Sequence, residues 1–416
     1  MEIVDDFGED PYYKEYYEKE VKNSEVERFC ATEKLHESSN KCCVETGVSW
    51  KESVQRYYTN QLLNDRATQK SIRNGTYSLK PVYEFTISER GRPRGIKSHH
   101  ISDRVVFNSV TNNVLLPSLS KYLIYDNGAS LKNKGLGFSR MRFEIDLRNA
   151  YTKYGENTYI LLIDFSKYFD NIQHQIVYNY LSQYLNPAEL EFIKICFKEF
   201  EIDVSYMNDE EYLYCMNTLF NVLEYSAIDK SLLTGEKIMC KSIGIGSQLS
   251  QIIGVYYPHE IDNYCKIVKG IKEYGRYCDD SYVMAGSIKE LQQIYSDICV
   301  IANKLGIFIN HKKTRIQKVS SETISFLKIN YIVTPTGGLI RKVNSDTFHR
   351  ERRRIIKFKH LLDNGRMELN DIILCYKSWR GTYDCYDSGY EIYKLDLLFM
   401  STFHLDKNFQ LIKMEE

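Results

Sequence analysis

Two aspartates stand side by side in YGRYCDDSYVMAG, residues 274–286, between a tyrosine-rich run and an apolar one. Adjacent like charges repel, and burying either without a partner costs several kcal/mol. A hairpin turn is the plain explanation, since an Asp side chain bonds nearby backbone there. A third carboxylate, Asp164, closes YILLIDF, residues 159–165, whose unbroken apolar run suits a strand buried on both faces. If that strand and the Asp279–Asp280 hairpin are neighbours in one sheet, their ends converge. Hard oxygen ligands gathered this way suit Mg²⁺, which binds through one or two carboxylates plus substrate phosphates. Two such ions stabilise the attacking and leaving oxygens of an in-line phosphoryl displacement. The plain alternative for Asp164 is an ordinary strand end, and spacing alone does not bring the three together.

The elements that would position these groups are legible in outline. Residues 1–60 read as helical, and TYSLKPVYEFTIS as short β-like pieces before a Gly/Pro/Arg loop, RGRPRGIK. Residues 103–123 return apolar groups near helical spacing, interrupted by Pro117, and a glycine- and lysine-containing loop precedes a helix at about 140–154. The 159–165 strand leads into a helix at HQIVYNYLSQYL, and 188–240 is mixed. A glycine loop at 244–246 opens a further helix, the hairpin follows, then a helix over 287–305 and short strands through 306–340. The tail, 345–416, reads as helical, with Asp346 as N-cap and Asn364-Gly365 as a stop. This is an α+β pattern, a small antiparallel sheet backed by helices.

Bulk properties leave the function class open but narrow it. Lys+Arg and Asp+Glu balance at 55 each, so no whole-protein field favours a polyanion; the basic residues concentrate instead at 90–104 and 341–366. Eleven cysteines without CxxC spacing point to a reducing, cytoplasmic setting rather than a disulfide frame. Cys30, His36, Cys42 and Cys43 match no common zinc spacing. No apolar run approaches the roughly 20 residues of a membrane span, and no basic-then-apolar leader opens the chain.

The motifs resemble those of reverse transcriptases, in that family's order, over about residues 90–340. YCDD at 277–280 resembles their Tyr-x-Asp-Asp box, and ILLIDFSKYFDNI, 160–172, their first palm motif. GIGSQLSQIIGVYYPHEID, 244–262, is similar to the glycine–serine motif of bacterial members. LGIFINHKKTRI and SFLKINYIVTPTGGLI resemble the later palm segment and the primer grip, and RPRGIKSHHISDRVV the fingers segment that meets incoming nucleotide. The resemblance implies a right-hand polymerase: N-terminal region and fingers over 1–155, palm over 156–340 with 188–240 partly fingers, and a helical thumb over 341–416.

It also implies roles. Asp164, Asp279 and Asp280 would be metal carboxylates, with the Phe165 carbonyl as a further ligand, for two Mg²⁺ ions or Mn²⁺ in their place. Phe169, five residues after Asp164, falls at the steric-gate position, where a ring crowds a ribose 2′-OH and selects deoxynucleotides; a core aromatic is its plain alternative. Arg94 and Lys97 would contact triphosphate, and Lys313 would protonate the pyrophosphate leaving group; solvated charge is the plain alternative for all three. The family's Pro-Gln-Gly is replaced by Gly244-Ile245-Gly246 and a frequent asparagine by Val255, so Gln248 or Gln251 would have to serve the nucleotide pocket. Arg352, Arg353 and Lys357, in the basic helix HRERRRIIKFKHLLDNG, could hold a nucleic-acid backbone by counterion release or simply face solvent. Trp379 fits thumb core better than a base-stacking platform.

The expected function is RNA-directed DNA synthesis from dNTPs. The motif wording is most like the free-standing phage-defence-associated reverse transcriptases, the unknown groups and abortive-infection types, which implies a partner noncoding RNA, a DNA product and, in some relatives, oligomers. Retron and diversity-generating enzymes are the competing subfamilies. A catalytically lapsed palm acting as an RNA-binding scaffold is the rival of another class, and the three retained aspartates argue against it.

Overall fold

The computed structural model describes residues 24–89, 92–225 and 228–411. The strands run, in chain order, β1 (Tyr83–Glu89), β2 (Arg92–Ser98), β3 (Tyr159–Asp164), β4 (Ile202–Asp203), β5 (Ile238–Met239), β6 (Tyr274–Tyr277), β7 (Asp280–Ala285), β8 (Arg315–Lys318), β9 (Ile324–Phe326), β10 (Ile329–Val333) and β11 (Leu339–Val343). A four-stranded sheet has the order β6-β7-β3-β8, so the strand carrying Asp164 lies beside the hairpin carrying Asp279 and Asp280. Small sheets among many helices make this the expected α+β fold. The chain divides into two compact units, the first of residues 1–135, 162–281 and 294–314, the second of 136–161, 282–293 and 315–416.

Along β3, Ile160, Leu161, Leu162 and Ile163 are all buried, as a two-faced strand requires. The Gln248–Tyr256 helix is buried along nearly its whole length and opens at Ser247, whose hydroxyl accepts the Ser250 N–H at 3.0 Å. Its approach is set by Gly246 at φ +135°, where a Cβ would stand 2.5 Å from the Lys97 carbonyl oxygen. Within 188–240 the mixed reading holds. The Pro187–Phe197 and Asp209–Asn217 helices both start with reciprocal capping boxes, Asn186 with Glu189 and Asn208 with Glu211. The pairing of β4 with β5 accompanies a small cluster of Val204, Met207, Cys215, Phe220 and Met239.

Several local expectations are corrected. RGRPRGIK is largely strand, not loop: β2 pairs antiparallel with β1 from Tyr83↔Ser98 to Glu89↔Arg92. Pro93 is tolerated because a two-stranded ribbon is all edge, so its missing N–H removes no interior bond. Pro117 does not interrupt the helical path, which runs as Ile101–Val110, a π-turn Thr111–Leu115 and Leu116–Leu119. It sits in a first turn, where an absent N–H costs little. The N-cap of the Ser345–Asp363 helix is Asn344, whose side chain accepts the Asp346 N–H at 3.1 Å. Asp346 lies in the first turn, where its charge suits the helix dipole. Of the helical expectation for 1–60, residues 1–23 lie outside the described residues.

In the second unit, β11-β10-β9 form an antiparallel sheet. The helices Ser345–Asp363, Leu369–Tyr383 and Gly389–Phe403 enclose Ile355, Phe358, Ile372, Tyr376, Leu395, Phe399 and Phe403. Each such side chain contributes roughly 1.5–3 kcal/mol on burial. Trp379 packs on this core, its ring stacked 5.8 Å from that of Tyr376. Asn364 and Gly365, at φ +64°, end the first of the three helices as expected.

Candidate active site

Asp164 closes β3, and its carboxylate is held at both oxygens. Lys313 Nζ donates to Oδ1 at 2.6 Å and Asn310 Nδ2 to Oδ2 at 3.0 Å. Its main chain is clamped by the same segment: the Asp164 carbonyl accepts Asn310 N–H at 2.8 Å, and Ser166 N–H donates to the Phe308 carbonyl at 2.7 Å. Phe165 bridges Ile309 between these bonds, and its ring is buried. Asn310 was not singled out in the sequence, although it opens the same NHKKT stretch that carries Lys313.

Asp279 sits in the two-residue connection between β6 and β7, and Asp280 begins β7. Burial pushes the Asp279 carboxyl up, and the Asp164 charge adds to that rise; its own backbone N–H, Lys313 and Arg94 oppose it. Asp164, Lys313, Arg94 and Asp279 are therefore within electrostatic reach of one another. Arg94 is exposed on β2 and its charge also acts on Asp170, whose carboxyl is raised by burial and accepts the Val222 N–H at 3.4 Å. Among the described residues, no three His, Cys, Asp or Glu side chains close on a common point as a metal site.

The turn residue Cys278 is left-handed, at φ +58°. Burial drives its thiol up to about 12, so it stays protonated. The carbonyl of Cys278 accepts a bond from Arg276, a residue missed in the sequence; the signal was a lone Arg inside an otherwise apolar strand.

Phe169 lies in the short helical turn Tyr168–Asn171, directly against Gly254. A Cβ on Gly254 would stand 2.9 Å from Cε1 and 3.0 Å from Cζ of that ring. The Tyr168 hydroxyl donates to the Gly254 carbonyl at 2.6 Å, fixing the turn to the Gln248–Tyr256 helix. Gly254 was also missed, although a glycine inside the apolar helix IIGVYY signals close packing.

The remaining candidates are engaged with protein groups or lie elsewhere. Lys97 Nζ donates to the Glu199 carbonyl at 2.7 Å and pairs with Glu84 at 3.4 Å. Gln248 Oε1 accepts from Asn108 at 2.6 Å, and its Nε2 faces Asn112 at 3.5 Å, whereas Gln251 is exposed. Arg352, Arg353 and Lys357 lie exposed on the Ser345–Asp363 helix of the second unit. The cysteines near His36, whose spacing matches no common zinc site, are engaged otherwise: Cys42 donates to the Arg104 carbonyl at 3.6 Å, and burial raises Cys30, Cys42 and Cys43.

The profile of a family described as "Reverse transcriptase (RNA-dependent DNA polymerase)" matches residues 101–331. No curated protein matches the sequence. Among solved structures the chain is similar to one in the structure of telomerase from Candida albicans in complex with the TWJ fragment of telomeric RNA, at 14% identity and a TM-score of 0.40. That similarity covers 79% of this chain and 59% of the other, so the chain spans well under two thirds of that relative's length. No helix among the described residues is long and apolar enough to cross a membrane.

Proposed function

Because the chain belongs to the reverse transcriptase family, the RNA-dependent DNA polymerases, we propose that it extends a DNA strand along an RNA template by joining dNTPs. The observation that carries this reading is the placement of Asp164 and the Asp279–Asp280 turn on neighbouring strands, with the Asp164 charge felt at Asp279. A buried carboxylate whose proton affinity is raised further by a second carboxylate suits a hard divalent cation beside it. Asp164, Asp279 and Asp280, with the Phe165 carbonyl, would hold two Mg²⁺ ions, and Mn²⁺ would substitute. When bound, such ions stabilise the attacking 3′ oxygen and the leaving pyrophosphate oxygen.

The chain's own groups do the rest. Lys313 releases Asp164 to the cation and donates a proton to the departing pyrophosphate. Arg94, on the exposed β2 ribbon, pairs with the triphosphate. Lys97 would have to leave Glu199 and Glu84 to join it, so its part is to tie the β1–β2 ribbon to the glycine loop, where its N–H donates to the Ile245 carbonyl at 3.2 Å. The Phe169 ring closes the sugar side of the pocket against a 2′-OH, and Gln248 is held near it by Asn108. Arg352, Arg353 and Lys357 grip the primer–template backbone by counterion release.

On this reading 1–155 is N-terminal region and fingers, 156–340 palm and 341–416 thumb. The wording GIGSQLSQIIGVYY supports placement among the free-standing phage-defence enzymes, with a cognate noncoding RNA as template. Eleven unpaired cysteines support a cytoplasmic setting.

Incorporation of labelled dNTP with Mg²⁺, in wild type against Asp279→Ala/Asp280→Ala, tests the chemistry. Activity confined to the wild type is expected. Equal signals from the two proteins would leave an RNA-binding scaffold as the better account. Sequencing the nucleic acid that copurifies tests the template.

A further inference from the structure

Arg276, on β6 two residues before Cys278, is 1% exposed. A cation that deep is costly unless paired and fully bonded. Asp262, on the His259–Asn263 helix and itself 0% exposed, supplies the counter-charge. Nε donates to Oδ1 at 2.8 Å and Nη2 to Oδ2 at 2.6 Å, and the Tyr274 hydroxyl donates to the same Oδ1 at 2.6 Å.

That arrangement already balances the charge, yet the guanidinium makes two further bonds. Nη1 donates to the Cys278 carbonyl at 3.0 Å and Nη2 to the Val255 carbonyl at 2.7 Å. Both acceptors adjoin the groups assigned to chemistry. The Cys278 carbonyl belongs to the peptide whose nitrogen is that of Asp279, so holding it sets the direction in which the Asp279 side chain leaves the turn. Cys278 is left-handed, which costs a non-glycine residue on the order of 1–2 kcal/mol and requires an external hold. Val255 follows Gly254, the floor beneath the Phe169 ring. The main chain of Arg276 is fixed as well: its N–H donates to the Asp126 carbonyl and its carbonyl accepts Gly128 N–H, each at 3.1 Å.

We propose that Arg276 is a positioning residue, with Asp262 as its counter-ion, that locks the Asp279–Asp280 turn and the floor under Phe169 into one register. The metal-binding carboxylates and the sugar gate are thereby set by a single planar fork. A lysine, with one nitrogen, cannot reach the carboxylate and both carbonyls in that geometry. The proposal rests on the polymerase reading given above. Its competitor is an ion pair that serves the core alone, which an apolar pair of similar volume would replace without loss.

The experiment compares wild type, Arg276→Lys, the double variant Arg276→Met/Asp262→Leu, and Asp279→Asn. Thermal melting, Mn²⁺ binding by electron paramagnetic resonance, and single-nucleotide incorporation of dGTP against GTP are read in parallel. The double variant is expected to stay folded while kcat falls about 100-fold, the loss typical of a 1 Å misplacement. Mn²⁺ binding should weaken severalfold and preference for dGTP should shrink. A folded double variant with wild-type kcat, Mn²⁺ binding and sugar preference overturns the proposal. If the double variant does not fold, Arg276→Lys decides: the same three losses support the fork, and wild-type values overturn it. A wild type no more active than Asp279→Asn overturns the polymerase reading and this inference with it, whereas an active wild type matched by Arg276→Lys overturns the inference alone.

Discussion

Replacing Gly254 with alanine sets two effects of known sign against each other. Within the Gln248–Tyr256 helix, alanine is favoured over glycine by about 1 kcal/mol. The added Cβ, however, would stand 2.9 and 3.0 Å from two atoms of the Phe169 ring. Carbon pairs are comfortable at about 3.5–4.0 Å, so the ring must retreat by about 0.6 Å or more. The Tyr168 hydroxyl bond to the Gly254 carbonyl limits movement of the turn that carries the ring. Overpacking of this kind costs about 1–3 kcal/mol, so the strain wins and net destabilisation of about 0–2 kcal/mol is expected. Function should respond more than stability, because the ring moves away from the helix and into the space a sugar would occupy. A shift approaching 1 Å predicts a fall in kcat/KM for dNTP of about 10- to 100-fold. Single-nucleotide incorporation with dNTP and NTP, alongside denaturant unfolding, reads both terms. Adding Phe169→Leu to Gly254→Ala should recover dNTP use and relax sugar choice, since the clash loses its partner. If Gly254→Ala alone is more stable than wild type and keeps its dNTP kcat/KM, the ring does not rest on Gly254 as described.

The other predictions are simpler. Burial holds the His174 imidazole down to about 4, from an ordinary value of 6.5, while its Nε2 contacts the Ser242 carbonyl at 2.5 Å. The unfolded chain binds the extra proton between those values. Stability from this residue is therefore full above pH 6.5 and is lost as pH falls towards 4, by about 3 kcal/mol; urea unfolding at pH 7.5, 5.5 and 4.5 should show the slope, and His174→Gln should flatten it. Lys313→Met removes a half-exposed ion pair with Asp164, worth under about 1 kcal/mol, yet should lower kcat by about 100-fold as the acid is lost. An unchanged kcat and pH–rate profile in that variant would refute the acid role.

Much of this protein was readable before folding. The strand at 159–164 announced itself by an apolar run without alternation, and the hairpin by two acids between β-like pieces. The basic helix at 345–363 kept its apolar face, Ile355 and Phe358 inward, because helical periodicity is a local property. RGRPRGIK misled because its Gly, Pro and Arg content is that of a loop, while pairing with β1 makes it a strand. Pro117 misled because a proline breaks a helix interior but not a first turn, and only the π-turn before it created that first turn.

The residue types and their order along the chain therefore determined the family and the class of chemistry that goes with it, because motif spacing and apolar periodicity are properties of a linear string. Tertiary structure alone decided what the candidate carboxylates touch. That Lys313 and Asn310 hold Asp164, that Arg276 grips the Val255 carbonyl, and that Gly254 lies under Phe169 are contacts between segments many residues apart. Such contacts depend on which strands become neighbours and how closely a helix can approach, and no local pattern in the sequence encodes either distance.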